Sequence, residues 1–242
     1  MNLLLIRGGE REGGRVRLQG TRARHVREVL RLQVGESLRV AVPRESMGTA
    51  QVLAMGEDEV ILDTLQLEAL DPASRPGLRL ILALPRPKAL RRTLQTAASF
   101  GVEHIDVVNA WRVSKSYWGS PVLQAQALKD ELWLGCEQGR HPHLPTIACH
   151  RLLMPFLDGL GSRPAGRYLA HPGSDTWLAQ VEDLGANGTL AIGPEGGWIA
   201  AELESFTKAG FRQVTISGSI LRSEIALAAA LAQWQMCLAA SK

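Results

Sequence analysis

The amino-acid sequence predicts an α/β protein with two domains, a small β-barrel followed by a parallel sheet covered by helices. Short strands separated by glycines fill residues 1 to about 70, a pattern typical of a compact barrel. From Leu78 onward, apolar strands alternate with helical stretches, which indicates a parallel sheet buried on both faces. We place the boundary in the turn-rich segment 71–77, which gives domains of residues 1–72 and 73–242.

The hydrophobic periodicity predicts the elements of both domains. In the first domain we expect strands at residues 3–6, 15–18, 37–41, 50–55 and 60–67, with a helix at 23–32 whose apolar face carries Val26, Val29 and Leu30. In the second we expect strands at 78–84, 104–108, 146–149, 167–170, 189–192 and 213–217, and helices at 88–100, 176–184, 200–209 and 223–238. Ligands of such sheets lie beyond the carboxyl ends of the strands, so the loops that follow the strands carry the candidate site.

Charge is distributed unevenly along the chain. Residues 1–44 hold ten arginines and four glutamates, residues 45–77 hold seven acids and one arginine, and residues 78–140 hold nine bases and five acids. A basic N-terminal segment suits contact with phosphates, and a solvated charged surface is the alternative. No apolar run approaches the roughly 20 residues that span a bilayer, and the three cysteines show no metal or disulfide spacing. We therefore expect a cytoplasmic protein without a membrane or metal partner.

Two small-residue loops follow predicted strands, IGPEGGW at residues 192–198 and SGSILRSEIA at residues 217–226. Glycine lets the backbone approach a ligand closely, and amides near a helix start can face a polar group. Neither loop has a phosphate-binding spacing, and a tight structural turn is the alternative. Arg222 and Glu224 lie where the second loop enters a helix that Ser223 can cap. For Glu224, the alternative is a first-turn carboxylate that the helix dipole favours.

Basic residues follow two other predicted strands. The segment LPRPKALRRTLQ at residues 84–95 places Lys88, Arg91 and Arg92 on roughly one helix face. Cations at a helix start oppose the macrodipole, which favours a phosphate-binding role over a merely solvated helix start. The segment NAWRVSKSYW at residues 109–118 interleaves Arg112 and Lys115 with aromatic residues. Such a loop can hold phosphates and stack a base, whereas packed aromatic anchors are the alternative.

Taken in order, five stretches resemble one known family: LALPRPKALRRTLQTAASFGV, NAWRVSKSYW, EQGR, AIGPEGGW and SILRSEIALAAALAQWQ. They are similar to the 16S rRNA (uracil-N3) methyltransferase family of the SPOUT class, the RsmE-like proteins, and HVREVLRLQVGESLRV resembles the RNA-binding barrel of that family. The resemblance implies a PUA-like β-barrel before a SPOUT-type parallel sheet with a C-terminal trefoil knot. It also implies a homodimer, S-adenosylmethionine as cofactor, and 16S rRNA or the small ribosomal subunit as partner.

By this resemblance, backbone groups of three loops bind the cofactor. The cofactor-binding residues are then Leu169, Ala170, His171, Ile192, Gly193, Pro194, Gly197, Ser217, Gly218, Ile220 and Leu221. For His171, the residues alone equally allow a structural role. The RNA-binding residues that we expect are Arg22, Arg24, Arg31, Lys88, Arg91, Arg92, Arg112 and Lys115. Ser219 and Ile225 stand where family members often have arginine and threonine.

The reaction implied is methylation of uridine N3, which must lose its proton before or during attack on the methyl group. Glu224 is the candidate base, and Arg222 is the candidate for stabilising the uracil anion. One alternative is a SPOUT enzyme of another specificity, such as ribose 2′-O or guanine methylation. Another is a non-catalytic RNA-binding or assembly factor. A nucleotide-dependent α/β enzyme is disfavoured because the sequence has no phosphate-loop spacing.

Overall fold

The computed structural model describes residues 3–64, 66–71, 77–161 and 166–240. The chain divides into two compact units, one of Met1–Arg75 with Cys136–Leu144 and one of Pro76–Gly135 with Pro145–Lys242. The segment Cys136–Leu144 therefore belongs with the N-terminal unit, which local sequence patterns do not reveal. The predicted boundary between residues 72 and 73 lies outside the described residues, and the assignment of the two domains stays a prediction.

The N-terminal unit is built on a mixed sheet. Its described strands are β1 (Leu4–Leu5), β2 (Arg11–Glu12), β3 (Arg15–Gln19), β4 (Ser37–Val42), β5 (Ser46–Met55), β6 (Glu59–Asp63) and β7 (Gln66–Ala69). They lie in the order β1-β4-β5-β6-β3-β2, with β7 paired to β5. β1 and β4 are parallel, and the other pairs are antiparallel. Buried and exposed residues alternate along β3 and β6, so one face of the sheet covers the core.

A short helix crosses this core. It is α-helical over α1 (Gly20–Arg24) and continues as a π-helical turn over His25–Val29. Val26 is buried with Val16, Leu18 and Leu62. The prediction that Val29 shares this buried face is wrong, because the Leu30 amide donates to the carbonyl of His25 and the wider turn rotates the face. Val29 is 64% exposed.

The described part of the C-terminal unit contains a six-stranded sheet, four complete α-helices and residues 125–135 of a fifth helix, whose last residues 136–139 belong to the N-terminal unit. The strands are β8 (Arg79–Ala83), β9 (His104–Val108), β10 (Thr146–His150), β11 (Arg167–Ala170), β12 (Thr189–Ile192) and β13 (Phe211–Val214). The helices are α2 (Pro87–Ser99), α3 (Ala125–Gly139), α4 (Leu153–Asp158), α5 (Ala200–Lys208) and α6 (Ser223–Ala240). The strand order is β10-β9-β8-β12-β11-β13, and every pair is parallel.

The centre of this sheet is buried on both faces, as the apolar strands predict. Leu80, Ile81 and Leu82 are all fully buried, although successive residues of a strand point to opposite faces. Helices α2 and α3 approach very closely, because a Cβ added at Gly135 would lie 2.3 Å from the carbonyl oxygen of Gln95. No helix among the described residues is long and apolar enough to cross a membrane.

Some elements differ from the prediction. The expected helix at 176–184 is only a 3₁₀ turn, Leu178–Gln180. The reason is a pair of backbone hydrogen bonds, since the Thr215 amide donates to Thr176 and the Leu178 amide donates to Thr215. These bonds hold the segment extended beside the last strand. The strand expected at 213–217 is β13, which lies two to three residues earlier, and helices α3 and α4 were not predicted.

Candidate functional site

The candidate site lies where three neighbouring strands end. β11 lies between β12 and β13, and its residue Leu169 is in register with Ala191 on one side and Gln213 on the other. Parallel strands in register bring their carboxyl ends to one edge of the sheet. The three loops that follow these strands therefore meet there.

A cavity of about 300 Å³ lies between these loops. Residues 170–172 line it from the loop after β11, residues 192–198 from the loop after β12, and residues 216, 217 and 219–221 from the loop after β13. Ser223 and Ala226 of α6 and the side of Arg112 complete the wall. The two glycine-bearing loops singled out by the sequence thus share one cavity, whose volume is at the lower end of the range for small-molecule sites.

Most of the residues expected to bind a cofactor lie in this wall. They are Ala170, His171, Ile192, Gly193, Pro194, Gly197, Ser217, Ile220 and Leu221. Leu169 is fully buried within the sheet and does not line the cavity, and Gly218 is exposed on the loop outside it. Their binding roles remain predictions, and for Leu169 the geometry favours support of the wall over contact with a ligand.

A hydrogen bond joins the two glycine-bearing loops directly. The hydroxyl of Ser223, the first residue of α6, donates to the carbonyl oxygen of Gly193 at 3.2 Å. Ser223 is 4% exposed. Ser223, which was expected to cap α6, is instead its first residue, and its hydroxyl fixes the spacing between the loops.

Glycine is required at two positions of the first loop. Gly197 has a φ of +73°, a conformation that residues with a Cβ rarely adopt. A Cβ added at Gly193 would lie 2.9 Å from Nε1 of Trp198, closer than ordinary packing allows. Gly197 allows the tight turn, and Gly193 lets the indole of Trp198 approach the backbone.

Two buried polar atoms in the wall have no hydrogen-bond partner among the described residues. They are Nε1 of Trp198 and Nδ1 of His171, and both residues line the cavity. Buried polar groups in proteins are nearly always hydrogen-bonded. The cavity therefore has the features of a site that is completed by a polar ligand.

Charged side chains stand at the rim of the cavity. The guanidinium of Arg112 donates to the carbonyl oxygen of Gly196, so this residue, expected to contact RNA, is placed against the glycine-rich loop. Glu195 is exposed in the wall, and its carboxylate accepts the backbone N–H of Arg86 at 3.1 Å. The loop after β8 is thereby linked to the loop after β12.

Comparison with known proteins decides the family. A model of the RNA methyltransferase domain matches residues 73–235, which is more than half of the chain. The chain belongs to this RNA methyltransferase family. Two relatives are named ribosomal RNA small subunit methyltransferase E: one from Treponema pallidum is 28% identical over 86% of this chain and 80% of its own. The other, from Borreliella burgdorferi, is 25% identical over 95% of each chain. The RsmE-like membership predicted from the sequence is confirmed.

Solved structures show the same fold. Ribosomal RNA small subunit methyltransferase E of Neisseria gonorrhoeae, solved with bound S-adenosylmethionine, has a TM-score of 0.80 and 23% identity, covering 98% of this chain and 97% of its own. A Legionella pneumophila methyltransferase, also solved with bound S-adenosylmethionine, has a TM-score of 0.76 and 23% identity, covering 97% of each chain. The α/β fold with one mixed and one parallel sheet is thus common to these proteins and confirms the predicted class at that level.

A buried carboxylate supports the site in this RNA methyltransferase. Glu202 of α5 is 4% exposed and accepts the backbone N–H of Trp111 at 2.8 Å and that of Ile199 at 3.0 Å. Ile199 directly precedes α5, just after the glycine-rich loop, and Trp111 directly precedes Arg112. One side chain therefore ties together two segments that line or border the cavity. Sequence reasoning missed it, because an acidic residue in a first turn ordinarily indicates only a dipole partner.

The two residues expected to be catalytic lie beside the cavity of the methyltransferase rather than in its wall. Arg222 is exposed and Glu224 is half-buried, and neither lines the cavity, although their neighbours Leu221 and Ser223 do. Arg222 begins the helix through its carbonyl, which accepts the amides of Ile225 and Ala226. Their catalytic roles remain predictions.

The basic residues expected to bind RNA in this unit are all exposed, but they differ in their partners. Lys88, Arg92 and Lys115 are exposed. Arg91 forms an ion pair with Glu131, whose side chain is 7% exposed and also accepts a hydrogen bond from Gln95 at 2.5 Å. Arg91 is thus partly committed to holding α2 against α3, and Lys88 and Arg92 remain the better candidates for phosphate contact.

In the N-terminal unit, the three arginines predicted to bind RNA differ in their exposure and in their partners. Arg24 and Arg31 are exposed. Arg22 is instead paired with Glu10 at 2.9 Å and Glu137 at 3.4 Å and donates to the carbonyl of Leu5 at 2.5 Å. Burial lowers the pKa of the Arg22 guanidinium, against the opposing effect of the two carboxylates. These contacts argue against the RNA contact predicted for Arg22.

A second polar cluster lies within the parallel sheet. Asp106 is 1% exposed, and its carboxylate contacts Arg79 at 2.6 Å, His150 at 2.8 Å and His104 at 3.4 Å. Burial alone would raise the pKa of Asp106, but the hydrogen bonds from His104 and Arg79 outweigh it and lower the pKa to about 2. The cluster joins β8, β9 and β10, and none of its members lines the cavity. It therefore stabilises the sheet on which the site is built.

Proposed function

We propose that this protein transfers the methyl group of S-adenosylmethionine to N3 of a uridine in 16S rRNA. RNA methylation follows from the family, and the named relatives point to rRNA of the small subunit. The choice of uridine N3 rests on the resemblance of the ordered motifs. The single observation that carries the proposal is the cavity shared by the two glycine-bearing loops.

The cavity residues fit S-adenosylmethionine. The wall combines apolar side chains, such as Ile192 and Leu221, with backbone groups of the glycine-rich loop, a composition suited to a nucleoside with a polar chain. Nε1 of Trp198 and Nδ1 of His171 are buried polar atoms without a hydrogen-bond partner among the described residues. The glycines leave the backbone accessible. When bound, the cofactor supplies an electrophilic methyl group on its sulfonium.

The side chains of this protein would then orient the uracil and move its proton. Glu224 on α6 and Glu195 in the cavity wall are carboxylates that could accept the N3 proton. Arg222 would stabilise the negative charge on the uracil. Positioning of two reactants contributes on the order of 7–11 kcal/mol in favourable cases, and the loops around the cavity would supply that positioning.

Exposed apolar residues support the proposed homodimer. Ile220 is 89% exposed, Ile225 51% and Met236 71%, and all three lie on α6 or the loop that precedes it. Exposed apolar surface is a common feature of contacts with another chain, and a second copy that packs on this end of the unit would cover these residues. We retain the PUA-like barrel, the trefoil knot, the domains 1–72 and 73–242, and the cytoplasmic location as parts of the same proposal.

RNA from cells that lack this protein provides the direct test. Purified protein is incubated with S-adenosylmethionine and either free 16S rRNA or small subunits from such cells, and the modified nucleoside is mapped by mass spectrometry. The proposal predicts 3-methyluridine at one position. A ribose 2′-O-methyl nucleoside or a methylguanosine would overturn the specificity, and absence of any methyl transfer together with absence of S-adenosylmethionine binding would overturn the enzymatic function.

The Arg222→Ala variant tests the assigned roles. We expect turnover to fall far more than cofactor affinity, because Arg222 does not line the cavity. Lys208→Ala, which removes another exposed cation from the same unit, is the control and should retain both. Equal losses of turnover and cofactor affinity in Arg222→Ala would contradict the role.

A further inference from the structure

Trp111 holds its indole ring in solvent. It is 79% exposed, whereas Trp177 is 40% exposed and Trp133, Trp198 and Trp234 are 5% exposed or less. An exposed tryptophan is uncommon, because the ring is the largest apolar surface that a side chain offers. The exposed ring offers a large flat apolar surface on which a partner could pack.

The backbone beneath the ring is fixed. The Trp111 amide donates to the buried carboxylate of Glu202 at 2.8 Å. The flanking residues Ala110 and Val113 are 3% and 7% exposed, and the Val113 amide donates to the carbonyl of Ala110 at 3.0 Å. These anchors fix the main chain from which the exposed ring projects. Trp111 is thus a preorganised platform, which lowers the entropic cost of binding.

The platform stands next to the candidate cofactor cavity. Arg112, the following residue, lines the cavity and donates to the carbonyl of Gly196, and consecutive Cα atoms are about 3.8 Å apart. Lys115, four residues after Trp111, is also exposed and can contact a phosphate. Aromatic rings beside cations are the usual means of binding unpaired bases.

We propose that Trp111 stacks on an unpaired base that neighbours the methylated uridine, an inference that rests on the proposed function. N3 lies on the pairing edge of uracil, so the target must leave its pair and its stack before methylation. The neighbouring base then loses one stacking partner. The indole of Trp111 replaces that partner and holds the opened RNA beside the cavity.

Steady-state kinetics test this role. We expect Trp111→Ala to raise KM for RNA about tenfold, as for the loss of one stacked base. The kcat and the Kd for S-adenosylmethionine should change less than twofold, because Trp111 does not line the cavity. Trp111→Phe keeps a stacking face and should restore most of the affinity. Trp177→Ala, at another partly exposed tryptophan of this unit, is the matched control and should leave the KM for RNA unchanged.

A double-mutant cycle identifies the base. Single-stranded RNA oligonucleotides carrying the sequence around the target are prepared with an abasic nucleotide on either side of the uridine, and their Kd values are measured by fluorescence anisotropy. One abasic substitution should weaken binding to the natural protein about tenfold and leave binding to Trp111→Ala unchanged. Additive losses for both positions would overturn the proposal.

Two further outcomes distinguish this inference from its rivals. If Trp111→Ala converts a dimer to a monomer in light scattering, the ring contacts a second copy of the chain and the inference is wrong. If it leaves RNA affinity unchanged, the ring has no RNA partner and the inference is also wrong. Neither outcome affects the proposed function, which fails only if the natural protein does not form 3-methyluridine.

Discussion

The hydroxyl of Ser223 donates to the carbonyl oxygen of Gly193 across 3.2 Å, and this hydrogen bond joins the two loops that form the cavity. Residues 193–198 and 217–222 form neither helix nor strand, so the spacing of the two loops depends on such contacts. Ser223 begins α6 and Gly193 follows β12. The bond thereby couples the position of the helix to the glycine-rich turn.

Ser223→Ala should therefore loosen the spacing of the two loops that line the cavity and lower its affinity for the cofactor. We expect the loss of about 1 kcal/mol in the free energy of unfolding and a several-fold increase in the Kd for S-adenosylmethionine, measured by calorimetry. Ser205→Ala is the matched control, because the Ser205 hydroxyl also donates to a carbonyl, that of Ala201 at 2.8 Å, away from the cavity. An equal effect of both variants on cofactor affinity would contradict the role of Ser223.

Gly197→Ala tests the glycine-rich turn. Gly197 has a φ of +73° and lines the cavity, whereas Gly210 has a φ of +82° and lies outside it with nothing within 4 Å of an added Cβ. Alanine at either position should cost about 1 kcal/mol of stability through backbone strain. Only Gly197→Ala should raise the Kd for S-adenosylmethionine by tenfold or more. Similar cofactor affinity of the two variants would show that the turn is merely structural.

Glu202→Gln tests the buried carboxylate. The carboxylate accepts two backbone N–H groups, but an amide has one acceptor oxygen, so one N–H is left without its partner. We expect the free energy of unfolding to fall by about 1–3 kcal/mol in urea denaturation. The exposed Glu204 of the same helix provides the control, and Glu204→Gln should change stability by less than about 0.5 kcal/mol. Equal free energies of unfolding for Glu202→Gln and Glu204→Gln would contradict the supporting role of the Glu202 carboxylate.

Acid stability should depend on Asp106. The pKa of Asp106 is lowered from 3.8 to about 2 in the folded protein. Its contribution to the free energy of unfolding is therefore fully present above pH 4 and is lost as the pH falls towards 2. The shift corresponds to about 2 kcal/mol. Asp106→Asn should lower stability at neutral pH and flatten the dependence of stability on pH between 4 and 2, as followed by circular dichroism. Asp158→Asn, at an exposed position of α4, should retain the natural dependence.

The sequence predicts which edge of the parallel sheet carries the site, but it does not predict the contacts among the residues that line the cavity. Apolar runs define β9, β11 and β12 with the bounds that the structure has, because buried parallel strands have a strong local signal. The turn Leu178–Gln180 was missed because its backbone pairs with Thr215, a partner 37 residues later than Leu178. Contacts of that kind carry no local signal.

The residues of the site also divide into those with a local sequence signal and those without one. Glycines and small residues mark the loops directly, so Gly193 and Ser217 could be predicted to line one cavity. The roles of Trp198 and Glu202 depend on burial and on distant partners, which only the folded chain reveals. For Arg22, the local pattern was misleading. The basic N-terminal segment predicted a contact with RNA, but the fold pairs this arginine with Glu10 and Glu137.

A crystal structure of the protein with S-adenosylmethionine would show whether the two glycine-bearing loops bind the cofactor. We predict density for the cofactor between residues 192–198 and 216–221, with hydrogen bonds to backbone groups of both loops and to Nε1 of Trp198. Well-ordered cofactor density at any other place, with this cavity unchanged, would contradict it.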